Sequence, residues 1–102
     1  FSNYEWGVYH ILQNISLTQN FDEKELRQVY FKKLKSEESD LVKISLYRLL
    51  YKHCKTQQLR ATLQNQLNQE KSQYLKTVVA EFNKFHNTEN INLDDFLNSI
   101  GL

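Results

Sequence analysis

With 102 residues and 12.2 kDa, the chain is long enough for one domain with a modest core, and its 40% apolar and 13% aromatic residues exclude a disordered protein. Thirteen basic against twelve acidic side chains give a net charge of +1, which lacks the basic bias of a dedicated nucleic-acid-binding domain. No apolar run is long enough to cross a bilayer, so we expect no membrane contact.

The cysteine and methionine counts bear on location and on domain boundaries. The single cysteine, Cys54, cannot form an internal disulfide, so a reducing, cytoplasmic location is expected. Because the chain begins at Phe1 and contains no methionine, we predict that residues 1–102 form a single domain that is a fragment of a longer protein.

The residue pattern predicts an all-α fold, because two glycines and no proline leave little to interrupt helices. The first predicted helix covers residues 3–16. The second covers residues 22–36 and begins with a capping carboxylate at Asp22, clamped by Phe21 and Leu26. It is expected to bury one apolar stripe and to point its lysines outward; the stripe is Leu26, Val29, Tyr30 and Leu34, and the lysines are Lys32, Lys33 and Lys35.

The rest of the chain predicts four further helices. Residues 41–54 are apolar on nearly every side, which predicts a third, central helix. Polar residues at 64–71 divide residues 56–85 into two helices, with one long helix as the alternative. A sixth helix is predicted over residues 92–100, with Asn92 as its N-cap and Gly101 as its C-cap.

Taken in antiparallel pairs, these helices begin near residues 3, 40 and 72. That period is close to the roughly 34-residue length of tetratricopeptide repeats, although the consensus residues of that repeat are absent. The predicted fold is therefore either a tetratricopeptide-like repeat or an irregular helical bundle.

No group of residues predicts catalysis, a metal site or a cofactor. Arg48 and His53 match the arginine-to-histidine spacing of HEPN-type ribonucleases, but Leu49 is apolar where that family is usually polar. His10 and His86 have no ligand residue at suitable spacing on the same helical face. We therefore expect no enzyme activity, with a HEPN-like ribonuclease as the alternative.

Local charge is more informative than net charge. Residues 41–60 carry five basic side chains and no acid. Arg48, Lys52 and Lys55 share one face of the third helix, where they can meet a carboxylate or another anion. The alternative is that acidic residues nearby, such as Glu37 and Asp40, simply balance them.

Other polar residues extend this candidate ligand site. Asn14 can both donate to and accept from a peptide backbone, and Tyr47 and Tyr51 offer an apolar wall with a polar edge. Tyr47 and Tyr51 as core residues, and Asn14 as a helix cap, are the alternatives. The predicted ligand-binding residues are Asn14, Tyr47, Arg48, Tyr51 and Lys52.

Two segments resemble Rgg/MutR-type transcriptional regulators. Trp6-Gly7-Val8-Tyr9-His10-Ile11, followed by Leu12-Gln13-Asn14, is similar to the segment that opens their later helix pairs. Residues 74–85 and 91–102 look like their closing helix pair. The resemblance implies a C-terminal helical-repeat domain that dimerises and binds a short signalling peptide on its concave side, without the DNA-binding helix-turn-helix.

Two other classes remain as alternatives. Residues 9–12 and 22–34 resemble the first two helices of a J-domain, but the His-Pro-Asp motif is absent, so such a domain would be inactive as a co-chaperone. The size and the amphipathic helices also suit a bacteriocin-immunity-like bundle.

The functional prediction is a peptide- or protein-binding domain, the C-terminal part of a cytoplasmic transcriptional regulator. A homodimer is one expected assembly, and no direct contact with nucleic acid is expected from this fragment.

Overall fold

The computed structural model describes the backbone of residues 1–86 and the side chains of residues 1–83. This part of the chain is all-α and folds into five helices. They are α1 (Asn3–Thr18), α2 (Glu23–Glu25, Leu26–Phe31 and Lys32–Ser36 in succession), α3 (Asp40–His53), α4 (Gln57–Gln69) and α5 (Gln73–His86). The helix predicted over residues 92–100, with Asn92 and Gly101, lies outside the described residues.

Every one of these helices begins at a side-chain cap. In each case a hydroxyl or carboxylate accepts the backbone N–H three residues later, which satisfies a donor that the first helical turn leaves free. The capping residues are Ser2, Asp22, Ser39, Thr56 and Ser72. The predicted cap at Asp22 is confirmed by a 2.7 Å bond from the Glu25 N–H, and Phe21 and Leu26 are both buried as the predicted clamp requires.

The short breaks between helices also match the polar clusters of the sequence. Residues 70–72 interrupt the helical hydrogen bonding, so residues 56–85 form two helices, as predicted. At the start of α1, Ser2 and Glu5 each bond the other's backbone N–H, a reciprocal capping box that the sequence prediction missed.

One predicted core position in α2 is wrong. Val29 is 52% exposed, whereas Phe31 packs against the core in its place. The cause is the π-helical segment Leu26–Phe31, in which the backbone bonds span five residues and the turn is wider than in an α-helix. Leu26 is therefore followed on the buried side by Tyr30 and Phe31.

The odd-numbered helices lie side by side and run parallel. Glu5 contacts Ser39 at the amino ends of α1 and α3, and Ser16 contacts His53 near their carboxyl ends. On the other side of α3, Arg48 lies over the ring of Phe82 in α5. Helix α3 is therefore in the middle, and nine of its fourteen residues are buried, which confirms the prediction of a central third helix.

Alternate helices are joined by the same kind of contact at their amino ends. The hydroxyl of Ser39, which caps α3, donates to Glu5 in the first turn of α1. The hydroxyl of Thr56, which caps α4, donates to Glu23 in the first turn of α2. These pairs are separated by 34 and 33 residues, so the same kind of contact occurs twice, once between α1 and α3 and once between α2 and α4.

A buried acidic residue joins α3 to the connection between α4 and α5. Glu70 accepts from the Lys43 ammonium at 2.9 Å and from the Tyr47 hydroxyl at 2.7 Å. The side chain of Glu70 is only 7% exposed, so both bonds act in a poorly solvated site. Lys43 is thus neutralised by Glu70 across the fold, whereas Glu37 pairs with Lys33 within α2 and its exit.

None of the helices in the described part of the chain is both long and apolar enough to cross a membrane.

The contact between Glu5 and Ser39 predicts a pH-dependent stability. The Ser39 hydroxyl, followed by the Ser2 N–H, holds the pKa of Glu5 below its ordinary value of 4.5. Because the folded pKa is lower than the unfolded one, the stabilisation is present above pH 4.5 and is lost as pH falls through the folded pKa. We expect Glu5→Gln to be less stable than the wild type at pH 7. The difference in unfolding free energy, measured with denaturant, should shrink as the pH falls below 4.5. Glu38→Gln should keep the wild-type profile, and a constant difference at all pH values would contradict the assignment.

The Glu70 network predicts a larger loss of stability. Replacing Glu70 by Ala leaves the Lys43 ammonium and the Tyr47 hydroxyl without their acceptor, which should cost roughly 3 kcal/mol of unfolding free energy. The exposed Glu38→Ala change should stay within about 0.5 kcal/mol. Urea denaturation followed by circular dichroism would measure both, and equal effects would show that the network is not stabilising.

Candidate functional site

A cleft opens on the face formed by the three odd-numbered helices. Its volume is about 140 Å³, and it lies near the carboxyl ends of α1 and α3. Two cations, two uncharged polar side chains and two apolar ones line it: Arg48, Lys52, Gln13, Ser16, Leu17 and Phe82. No carboxylate is among these lining residues.

Arg48 is held in place from both sides of the cleft. Its Nη1 donates to the Tyr9 hydroxyl of α1 at 3.0 Å, and its guanidinium lies 5.0 Å from the centre of the Phe82 ring of α5. Gln13 Nε2 donates to the same Tyr9 hydroxyl at 3.2 Å. A planar cation fixed by a hydrogen bond and a ring face loses less side-chain freedom when it binds an anion.

Neither cation of the cleft is neutralised within the described part of the chain. The ion pairs among these side chains join Arg27 to Glu23, Lys33 to Glu37 and Lys43 to Glu70. Lys52 is exposed and Arg48 is partly exposed, so both remain accessible to solvent at the cleft. The predicted basic face of Arg48, Lys52 and Lys55 is therefore retained at Arg48 and Lys52, whereas Lys55 lies in the connection after α3 and does not line the cleft.

Helix ends reduce the field of these cations without cancelling it. The last turns of α1 and α3 both reach the cleft, and each carries roughly half a negative charge on its free carbonyls, about one charge in total. Two full positive charges outweigh that by about one unit. The cleft is therefore suited to an anionic group.

An exposed aromatic and apolar stripe of α1 leads to this cleft. Trp6, His10, Gln13 and Leu17 are spaced by four, three and four residues and so share one helical face. Trp6 stacks on His10 with ring centres 5.9 Å apart and is 43% exposed. Leu17, at the cleft, is 74% exposed. Large apolar side chains in solvent along one line are typical of an interaction surface.

The structure brings together two of the five predicted ligand residues. Arg48 and Lys52 line the cleft, and Asn14 is exposed on α1 outside it. Tyr47 and Tyr51 do not lie at a ligand surface: they are 0% and 1% exposed. Because α3 is covered by helices on several sides, their rings stack in the core, 6.4 Å apart.

The environment of these tyrosines is that of structural residues. Burial, reinforced by the Glu70 carboxylate, raises the pKa of Tyr47 far above its ordinary value. Burial also raises the pKa of Tyr51. Both hydroxyls therefore stay protonated at any physiological pH, and neither is suited to act as a base.

The arginine and histidine compared with HEPN-type ribonucleases have separate partners. His53 Nε2 lies 2.8 Å from the Ser16 carbonyl oxygen, which can only accept, so that nitrogen carries a proton. The His53 ring also packs edge-on against Phe21, with centres 4.6 Å apart. Arg48 donates instead to the Tyr9 hydroxyl. Among the described residues, no three His, Cys, Asp or Glu side chains are grouped so that they could hold a metal ion.

A second, more open depression of about 490 Å³ lies at the amino ends of α3 and α5. Its lining mixes acids and lysines: Asp40, Lys43, Gln69, Glu70, Lys71 and Ser72. Lys43 and Glu70 already satisfy each other there, so this site has no excess charge to offer a ligand.

Comparison of the chain with protein-family models, with curated proteins and with solved structures found no match in any of the three.

None of the four uncharged residues that line the cleft was predicted from the sequence as a ligand residue. Gln13, Ser16 and Leu17 lie on α1 and Phe82 on α5, and their register against α3 is set by tertiary packing. One signal was available: Trp6, His10 and Leu17 break the polar side of the first helix with exposed apolar or aromatic groups at helical spacing.

The two cations should differ in their effect on stability. Arg48→Ala removes the bond to Tyr9 and the contact with Phe82, which should cost about 1 kcal/mol. Lys52→Ala removes an exposed side chain without a described partner and should change stability by less than about 0.5 kcal/mol. Thermal and urea unfolding would measure both, and a large loss from Lys52→Ala would reveal a structural role for that residue.

Proposed function

We propose that this chain is a peptide- or protein-binding helical domain that takes its ligand on the face of α1, α3 and α5. The observation that carries the proposal is the pair Arg48 and Lys52, side by side in one cleft and without a carboxylate partner in the described part of the chain. Cations left unpaired at a cleft that also exposes apolar surface suit recognition of an anionic, partly apolar ligand.

Binding is preferred to catalysis on the geometry of the candidate groups. His53 uses Nε2 on the Ser16 carbonyl, and the buried tyrosines have raised pKa values. A general base must take up a proton from a substrate, and neither the Nε2 atom of His53, which already donates to Ser16, nor the two protonated tyrosine hydroxyls is available for this.

We further propose that the domain is the C-terminal, ligand-binding and dimerising part of a cytoplasmic transcriptional regulator. The recurring contacts Glu5–Ser39 and Glu23–Thr56 support a tetratricopeptide-like stacking of helix pairs, in which the first helix of each pair lines the ligand face. Such a domain acts by changing shape or assembly when a peptide binds, and the DNA contacts belong to another domain.

A displayed library of random eight-residue peptides tests the binding function. Peptides selected on the wild-type domain should lose at least about tenfold in affinity for a variant with both Arg48→Glu and Lys52→Glu, because two attractive charges become repulsive. The matched control carries Lys24→Glu and Lys32→Glu, the same change of net charge at two exposed lysines of α2, a helix that does not line the cleft. Equal loss of affinity in both variants would mean that net charge alone matters. A library from which no binding peptide can be selected would contradict the proposal.

The regulator assignment has a separate test. The full-length protein should contain a DNA-binding domain and should shift the electrophoretic mobility of DNA upstream of its own gene. A selected peptide should alter that shift in the wild type and not in the variant with Arg48→Glu and Lys52→Glu. A full-length protein without DNA binding would rule out the regulator while leaving peptide binding intact.

A further inference from the structure

The cleft and the stripe of α1 together define one elongated surface. The stripe runs from Trp6 to Leu17, and Leu17 is also a wall of the cleft. The eleven steps of α-helix from Trp6 to Leu17 rise by about 16 Å, which is the length of roughly five residues of extended peptide. One end of this surface is aromatic and the other is cationic.

From this surface we infer that the ligand is a short apolar peptide whose C-terminal carboxylate enters the cleft between Arg48 and Lys52 and whose apolar side chains lie along Trp6 and Leu17. The inference rests on the proposed function and specifies the ligand class and its direction. The peptide runs parallel to α1, with its carboxyl end at the carboxyl end of the helix.

The donors of the cleft suit a carboxylate group. The guanidinium of Arg48 offers several N–H groups in a fixed plane, the Lys52 ammonium adds a mobile charge, and the Gln13 amide is a neutral donor. Because Arg48 is already held between Tyr9 and Phe82, the site is organised before the ligand arrives.

The size of the cleft favours a chain end over a longer acidic segment. A volume of about 140 Å³ holds one carboxylate and a small part of the residue that bears it. The exposed Leu17 side chain and the Phe82 ring provide an apolar wall for the last side chain of the ligand. Earlier side chains then reach His10 and Trp6.

The test uses a fluorescein-labelled hexapeptide of alternating serine and leucine residues, made as the free acid and as the C-terminal amide. Fluorescence anisotropy with the wild-type domain should show the acid binding about tenfold more tightly than the amide. Arg48→Gln and Lys52→Gln should weaken binding of the acid and leave binding of the amide unchanged, whereas Lys32→Gln, at an exposed lysine of α2 outside the cleft, should affect neither form.

The stripe has its own pair of variants. Trp6→Ala and Leu17→Ala should weaken the acid and the amide by the same factor, because they remove apolar contact and no charge. Tyr4→Ala, which removes an aromatic ring that is 77% exposed on another face of α1, should change neither. Circular dichroism of each variant confirms that the fold is retained.

Three results would overturn the inference: equal affinity for acid and amide, equal affinity for the acid and for an amide that ends in glutamate, or no binding of the acid by the wild-type domain. If one of these results is obtained while library-selected peptides still lose affinity when Arg48 and Lys52 are changed, the proposed function stands. Only the inferred ligand class and direction are then wrong.

Discussion

Burial of α3 between its neighbours is the constraint on which the rest of the structure depends. Its apolar residues cover nearly its whole circumference, so it is stable only when other helices surround it. Helix α1 packs on one side and α5 on the other, and α2 and α4 also contact it. Few side chains of α3 are therefore accessible to solvent. Two of them, Arg48 and Lys52, reach the surface between α1 and α5.

Short connections and amino-terminal caps fix the arrangement around α3. Connections of three or four residues force successive helices to run antiparallel, which leaves alternate helices parallel. Parallel neighbours have their amino ends side by side, so a carboxylate in the first turn of one can accept from the capping hydroxyl of the other. The pairs Glu5–Ser39 and Glu23–Thr56 are this one solution used twice, and each cap thereby serves both its own helix and the next but one.

Local features were predictable from the sequence, and features that depend on packing were not. The cap at Asp22, the break at residues 70–72 and the shared face of Arg48 and Lys52 follow from rules that act over a few residues. Val29 was misplaced because a π-helical segment changes the phase of α2 in a way that no local pattern signals. Tyr47 was misplaced because its polar edge is satisfied by Glu70, 23 residues away, which makes a buried position acceptable.

The parallel arrangement of α1 and α3 also gives a structural reason for a cation at the cleft. That reason can be compared with the functional one, which is ligand binding. The adjacent carboxyl ends of α1 and α3 place partly negative carbonyls together. A single cation in the last turn of either helix would offset their combined charge of about one unit. His53 meets one of these carbonyls directly, because its Nε2 donates to the Ser16 carbonyl. Lys52 alone suffices for compensation, yet Arg48 is present as well and is held by Tyr9 and Phe82. The second positive charge is not required by helix packing. Binding of an anionic ligand would account for it.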